Sequence, residues 1–260
     1  MVSVDSFLNI SLLFCTYCFI GWVWESIYQS IIDRKILNRG FLFGPYIPIY
    51  GFGGVGIYLL FQKYGTTDLT SIRSLQIFIF GLLVATTLEY LTSFILEKIF
   101  GAKWWDYSNY FMNINGRICL IASLFWGFVA VLFVQILNPN IYSKISNIPY
   151  DLRLVLTSVI GTAMIIDTFY TLFSLINLKD KIDAIIEVQD AKLANTIDRI
   201  QGLPGSSKQF IVDSMGRFYG SDKFFMRRLI NAFPKLKFKS KEKQKIFERI
   251  RENLRNKKER

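Results

Sequence analysis

The chain has 260 residues, of which 52% are hydrophobic and 24 are Phe, with 31 Lys and Arg against 20 Asp and Glu and no His. Apolar content of that kind, gathered in long uncharged runs, excludes an ordinary soluble domain and points to several membrane passes. Without histidine there is no Ser-His or Cys-His pair, no imidazole metal ligand and no imidazole proton relay, and neither a metal nor a cofactor is expected.

Crossing a hydrocarbon core of ~30 Å takes ~20 apolar residues in a helix. Five runs come near that length, at roughly 7–29, 46–62, 75–96, 119–137 and 154–177, the second being the shortest. The first follows Asp5 with no basic stretch before it and is long enough to span, so it is expected to stay as a helix rather than act as a cleaved signal. Cys15 and Cys18 lie inside it among Phe and Leu; with Cys119 they read as small packing residues, because a redox or metal pair needs a polar, accessible setting. Gly53 and Gly56 read as points of close helix approach in the second run. The fold expected is all-α: a polytopic helical membrane protein of about five transmembrane helices over residues 1–178, with a cytoplasmic helical basic tail over 179–260.

The tail holds 21 Lys and Arg against 11 Asp and Glu, and so +10 of the formal +11. The positive-inside rule and the anionic inner leaflet both assign it to the cytoplasm, which with five spans puts the N-terminus outside the cell membrane. Its first part, "LKDKIDAIIEVQDAKLANTIDRIQG", sets Ile182, Ile185, Ile186, Leu193, Ile197 and Ile200 near helical spacing, and Gly202, Pro204 and Gly205 end the pattern. Its last part, "KFFMRRLINAFPKLKFKSKEKQKIFERIRENLRNKKER", interleaves basic residues with Phe, Met and Leu. That suits an anionic lipid surface, the plainer alternative being a solvated end whose charge only sets topology. No nucleic-acid module is recognisable, and no nucleic acid is expected as a partner.

An ionisable group at membrane depth costs roughly 2.5 kcal/mol or more and usually has a function or a buried partner. Glu25, Glu89 and Asp167 are such groups. Spans one and three run in the same direction, and Glu25 and Glu89 each lie a turn or two before the end of theirs. The connections on that side carry Arg39, Asp106 and Arg117. Arginine forks bind carboxylate or phosphate oxygens at two points, and the Gly and Pro residues of "NRGFLFGPYIPIYGFGG" let backbone turn irregularly beside a ligand. One polar pocket of Glu25, Arg39, Glu89, Asp106 and Arg117 is therefore expected at this boundary, with Trp104, Trp105, Tyr107 and Tyr110 as its rim or as interfacial anchors. Two ion pairs that merely hold helices, Glu25 with Arg39 and Glu89 with Arg117, are the alternative.

The motifs "FIGWVWESIY", "NRGFLFGPYIPIYGFG", "LEYLTSFILEKIFGAKWWDYS" and "NINGRICLIASLFWG", in that order over residues 14–130, resemble a bacterial family of ABC-transporter type IV permeases. The resemblance implies an integral membrane transport component and adds Asn38, Tyr50 and Asn115 to the five charged pocket residues. The sequence has no G-x-x-x-x-G-K-[ST] loop, so nucleotide hydrolysis would come from a separate ATPase subunit, and five spans per chain favour a homodimer or larger complex. A transport component is the first reading. A membrane-embedded enzyme or lipid-binding protein acting on a phosphate-bearing or lipid substrate, and a regulatory or scaffold protein working through its tail, are the others.

Overall fold

With no water in a bilayer core to satisfy backbone N–H and C=O groups, apolar runs of this length are stable there only as helices. In the computed structural model, residues 4–62, 71–197, 228–230, 232–233 and 236–256 are described, and most of them are helical. The helices are α1 (Val4–Ile32), α2 (Pro48–Gln62), α3 (Ser71–Phe100), α4 (Leu120–Leu132), α5 (Asn138–Ser146), α6 (Tyr150–Ile197) and α7 (Lys241–Asn256). The protein is an all-α polytopic membrane protein. Four stretches are long and apolar enough to cross a membrane: Val4–Ile32, Arg73–Phe100, Leu120–Ser146 and Tyr150–Asn177.

The second apolar run, expected as a span, is not among these four. At 15 residues α2 is ~22 Å long, short of the hydrocarbon thickness. The non-helical segment before it packs along α1. The Leu37 amide donates to Ser30 Oγ at 3.0 Å, the Arg39 amide to Ser26 Oγ at 3.1 Å, and the Ile47 amide to the Cys18 carbonyl at 3.0 Å. Each bond lies further from the α1 C-terminus than the last, so irregular, bent backbone takes the place of helix along this part of α1. Non-helical backbone at membrane depth persists only where protein buries it, and Leu42, 1% exposed, anchors this stretch in the bundle.

Packing fixes the alternation of directions. Leu12, Leu13 and Tyr17 of α1 cluster with Tyr58 near the end of α2 and Ile145 near the end of α5. Ile57 and Phe61 meet Ile77 at the start of α3, and Arg153 at the start of α6 binds Asp5 Oδ1 at 2.6 Å and Asn9 Oδ1 at 2.5 Å. Thus α1, α3 and α6 run one way and α2 and α4–α5 the other. Close approach does not occur at the glycines expected: a Cβ on Gly56 would meet nothing within 4 Å, and one on Gly53 only Leu88, at 3.8 Å. It occurs instead at Gly51 and Gly54 of α2, against Cys18 and Tyr17 of α1, and between α3 and α4, where a Cβ on Gly81 would lie 2.1 Å from that of Ala130.

The turn Phe133–Leu137 between α4 and α5 is a π-helix. Pro139, lacking an N–H and crowding the carbonyl four residues earlier, widens the turn before it. The extra residue rotates the buried face. Gly127 and Ala130 of α4 lie against α3, whereas Asn138 of α5 accepts a hydrogen bond from Tyr17 of α1 at 2.5 Å.

The sequence boundary at residue 178 falls inside α6, a helix of 48 residues, ~72 Å, that runs from Tyr150 to Ile197. Residues 202–205, expected to end the amphipathic stripe, lie outside the described residues. Part of the basic tail folds back on the bundle. Leu229, Ile230, Leu236, Ile246 and Phe247 form one core with Phe100, Ala102, Trp104, Leu175 and Ile182. A short antiparallel pair, β1 (Ala102–Lys103) with β2 (Lys237–Phe238), fastens it.

Candidate functional site

All the sequence-predicted residues collect at the end of the bundle where α1, α3 and α6 leave it, but as neighbouring clusters rather than one pocket. In the first, Arg39 Nε lies 3.6 Å from Glu25 Oε2, and the Tyr50 hydroxyl donates to Glu25 Oε1 at 2.8 Å. Asn38 is the acceptor for the Trp22 indole at 2.7 Å. The Glu25–Arg39 pair therefore forms, and it is partly exposed, at 28% and 20% of the two side chains.

Glu89 does not pair with Arg117. It is 8% exposed, and its Oε1 accepts from the Tyr107 hydroxyl at 3.1 Å. Its Oε2 is buried without a hydrogen-bond partner of good geometry, and the Trp126 indole interacts with the carboxyl as a second neutral donor. Tyr50 stacks edge-on against Trp126 with ring centroids 5.6 Å apart. Burial pushes the Tyr107 phenol well above its usual range, so it remains a donor.

Arg117 instead binds Glu97, with Nη2 at 2.8 Å from Oε2; the side chains are 11% and 3% exposed. Lys239 Nζ reaches the other Glu97 oxygen at 2.9 Å. The guanidinium also lies over the Tyr90 and Phe94 rings at 5.2 and 5.4 Å, a cation-π arrangement. Glu97 was missed because it lies one residue beyond the apolar run ending at 96. A signal was present: Glu89, Ser93 and Glu97 are spaced by four and share one buried face of α3.

Asp106 stands apart and shapes its loop. It accepts from the Ser108 amide at 3.0 Å and the Ser108 hydroxyl at 2.5 Å, with Lys237 Nζ at 3.4 Å. The Ser108 hydroxyl above all, helped by that amide and by Lys237, holds its carboxyl below the usual range against partial burial. Asn115, at φ 55°, donates to the Tyr90 hydroxyl at 3.1 Å, and a Cβ on the next residue, Gly116 at φ 68°, would collide with Ser108 and Asp106. Of the expected rim, Trp104 is buried against Phe41, Phe100 and Phe233, Trp105 donates to the Arg117 carbonyl at 2.8 Å, and Tyr110 is exposed.

The architecture and the motif-bearing residues coincide with a family model described as "Putative ABC-transporter type IV", which matches residues 12–172. The chain belongs to this family. No curated protein and no solved structure matches it. The region shared with the family takes in the Glu25, Glu89 and Glu97 clusters and ends just after Asp167.

That aspartate, whose role the sequence left open, holds the non-helical segment: Oδ1 accepts from the Phe43 amide at 2.9 Å and the Thr171 hydroxyl at 3.1 Å, and Oδ2 from the Gly44 amide at 2.6 Å. Beyond the family region, the C-terminal segment closes the same end of the bundle. Arg39 Nη1 donates to the Ala232 carbonyl, with the guanidinium 5.3 Å from the Phe233 ring centroid. Arg228 lies 4.3 Å from the Phe43 ring centroid and within 3.5 Å of the Gly40 carbonyl. Burial pulls the Arg228 guanidinium below its usual range, and the charge of Asp167 opposes that.

Proposed function

We propose that this chain is the membrane-embedded component of an ABC-type transport complex in the cell membrane, energised by a separate ATPase subunit, with the charged end of the bundle in the cytoplasm. Family membership carries the reading. The buried carboxylates and arginines at one end of the spans support it, since charges at that depth are kept where something polar is handled. The excess positive charge of residues 179–260 supports the orientation, with anionic inner-leaflet lipids as neighbours of its lysines and arginines. A regulatory role for the tail draws on one specific observation, the contacts of Ala232, Lys237 and Lys239 with Arg39, Asp106 and Glu97.

Two experiments test this. With Cys15, Cys18 and Cys119 replaced, single cysteines at Asn147 and Lys241 should react with an impermeant maleimide from opposite sides of the membrane, Lys241→Cys from the cytoplasm; labelling from one side alone overturns the topology. A complex isolated from native membranes through this chain should hydrolyse ATP, whereas the chain purified by itself should not. A complex with no nucleotide-hydrolysing subunit removes the transport reading.

A further inference from the structure

Glu89 differs from the other acids that build the clusters at this end of the bundle. Glu25 has Arg39, Glu97 has Arg117 and Lys239, Asp106 has Lys237 and two donors from Ser108, and Asp167 has two backbone amides. Among the described residues no cation lies within ion-pair distance of Glu89, and the donors it meets are neutral, the Tyr107 phenol and the Trp126 indole. Its second oxygen is buried without a hydrogen-bond partner of good geometry. On α3 the exposed apolar residues continue past it through Leu91, Phe94, Ile95 and Ile99, so it sits within the apolar band.

An ionised carboxylate in such a place is far costlier than a neutral one, and the usual outcome is that the group keeps a proton. The surroundings act in the same direction. From α1, Glu25 is close enough to repel a second negative charge, and it is paired with Arg39. From α2 comes the Tyr50 hydroxyl, already donated to Glu25; from the loop before α4 comes Tyr107, with Cys119 behind it; from α4 comes the uncharged indole of Trp126. The packing is tight, since a Cβ on Gly21 would fall 2.2 Å from the Tyr50 ring. A proton is a ligand that such a wall admits without rearrangement.

We propose that Glu89 is a proton-binding site, neutral at physiological pH, which exchanges its proton with the cytoplasmic side by way of Tyr50 and the partly exposed Glu25. The proton goes on and off one carboxyl oxygen, and no bond other than O–H is made or broken. As the ion handled during transport it rests on the reading above; proton binding itself is read without any transport.

Infrared spectroscopy of the full chain in detergent micelles tests it. At neutral pH the wild type should show a carboxylic-acid carbonyl band, shifted in D₂O and lost reversibly as pH is raised. Glu89→Gln should lack the band, and Glu89→Asp should keep one at an altered frequency, which guards against a folding defect in the first variant. Glu25→Gln removes the nearby negative charge, eases ionisation of Glu89 and should move the titration to lower pH. A wild type without the band at neutral pH, or a band that survives in Glu89→Gln, overturns the proposal. The band in a chain that assembles with no ATPase leaves the proton site standing and removes the transport reading; an ATP-hydrolysing complex whose chain lacks the band does the reverse.

Discussion

Glu97→Ala is expected to lower stability by about 3–5 kcal/mol, the largest loss among single changes to the charged residues. The substitution strands the Arg117 guanidinium, 11% exposed and packed against Tyr90 and Phe94, and removes the anchor of Lys239 as well. Thermal unfolding in micelles reads the loss. Adding Arg117→Met should recover much of it, because the cost comes from a buried charge left without its partner rather than from the worth of the pair. Arg39→Ala should cost less, since its 3.6 Å pair with Glu25 is partly exposed to solvent that screens it. An Arg39→Ala penalty exceeding that of Glu97→Ala would contradict this ranking.

Asp167→Ala is expected to release the non-helical segment before α2. Two backbone amides, those of Phe43 and Gly44, lose their acceptor at a depth where water replaces it poorly, at about 1–3 kcal/mol each. Asp167→Asn keeps one carbonyl acceptor and should retain part of the stability. Trypsin and chymotrypsin cleavage near residues 39–46 should rise in the alanine variant before global unfolding. Cleavage equal to wild type would mean that packing of Leu42 holds the segment unaided.

The parts legible in sequence are those set by local pattern. Apolar runs located the spans, counting crossings put Glu25 and Glu89 at one end, and a short loop made Arg39 the natural partner of Glu25. The illegible parts depend on contacts between distant residues or on backbone. Asp167 is satisfied by amides, which no side-chain pattern announces. Glu97 carries a charge at the limit of an apolar run, where hydropathy reads it as the start of a loop. The segment around Phe233 and Phe238 alternates basic and apolar residues, a pattern that serves equally for a lipid surface and for the cover of a helix bundle; pairing of Phe238 with Ala102 selects the second for this segment.

The C-terminal cover also imposes an order of events during synthesis. Arg39 meets Glu25 within one hairpin, but the Ala232 carbonyl that it also binds comes 193 residues later. At ~5–20 residues per second, the growing chain spends ~10–40 s with Arg39 lacking that bond, and for part of that time Glu97 lacks Lys239. The charged end of the bundle is therefore sealed last, and a chain halted before Arg228 would be marked as incomplete by the polar and aromatic surface it leaves open.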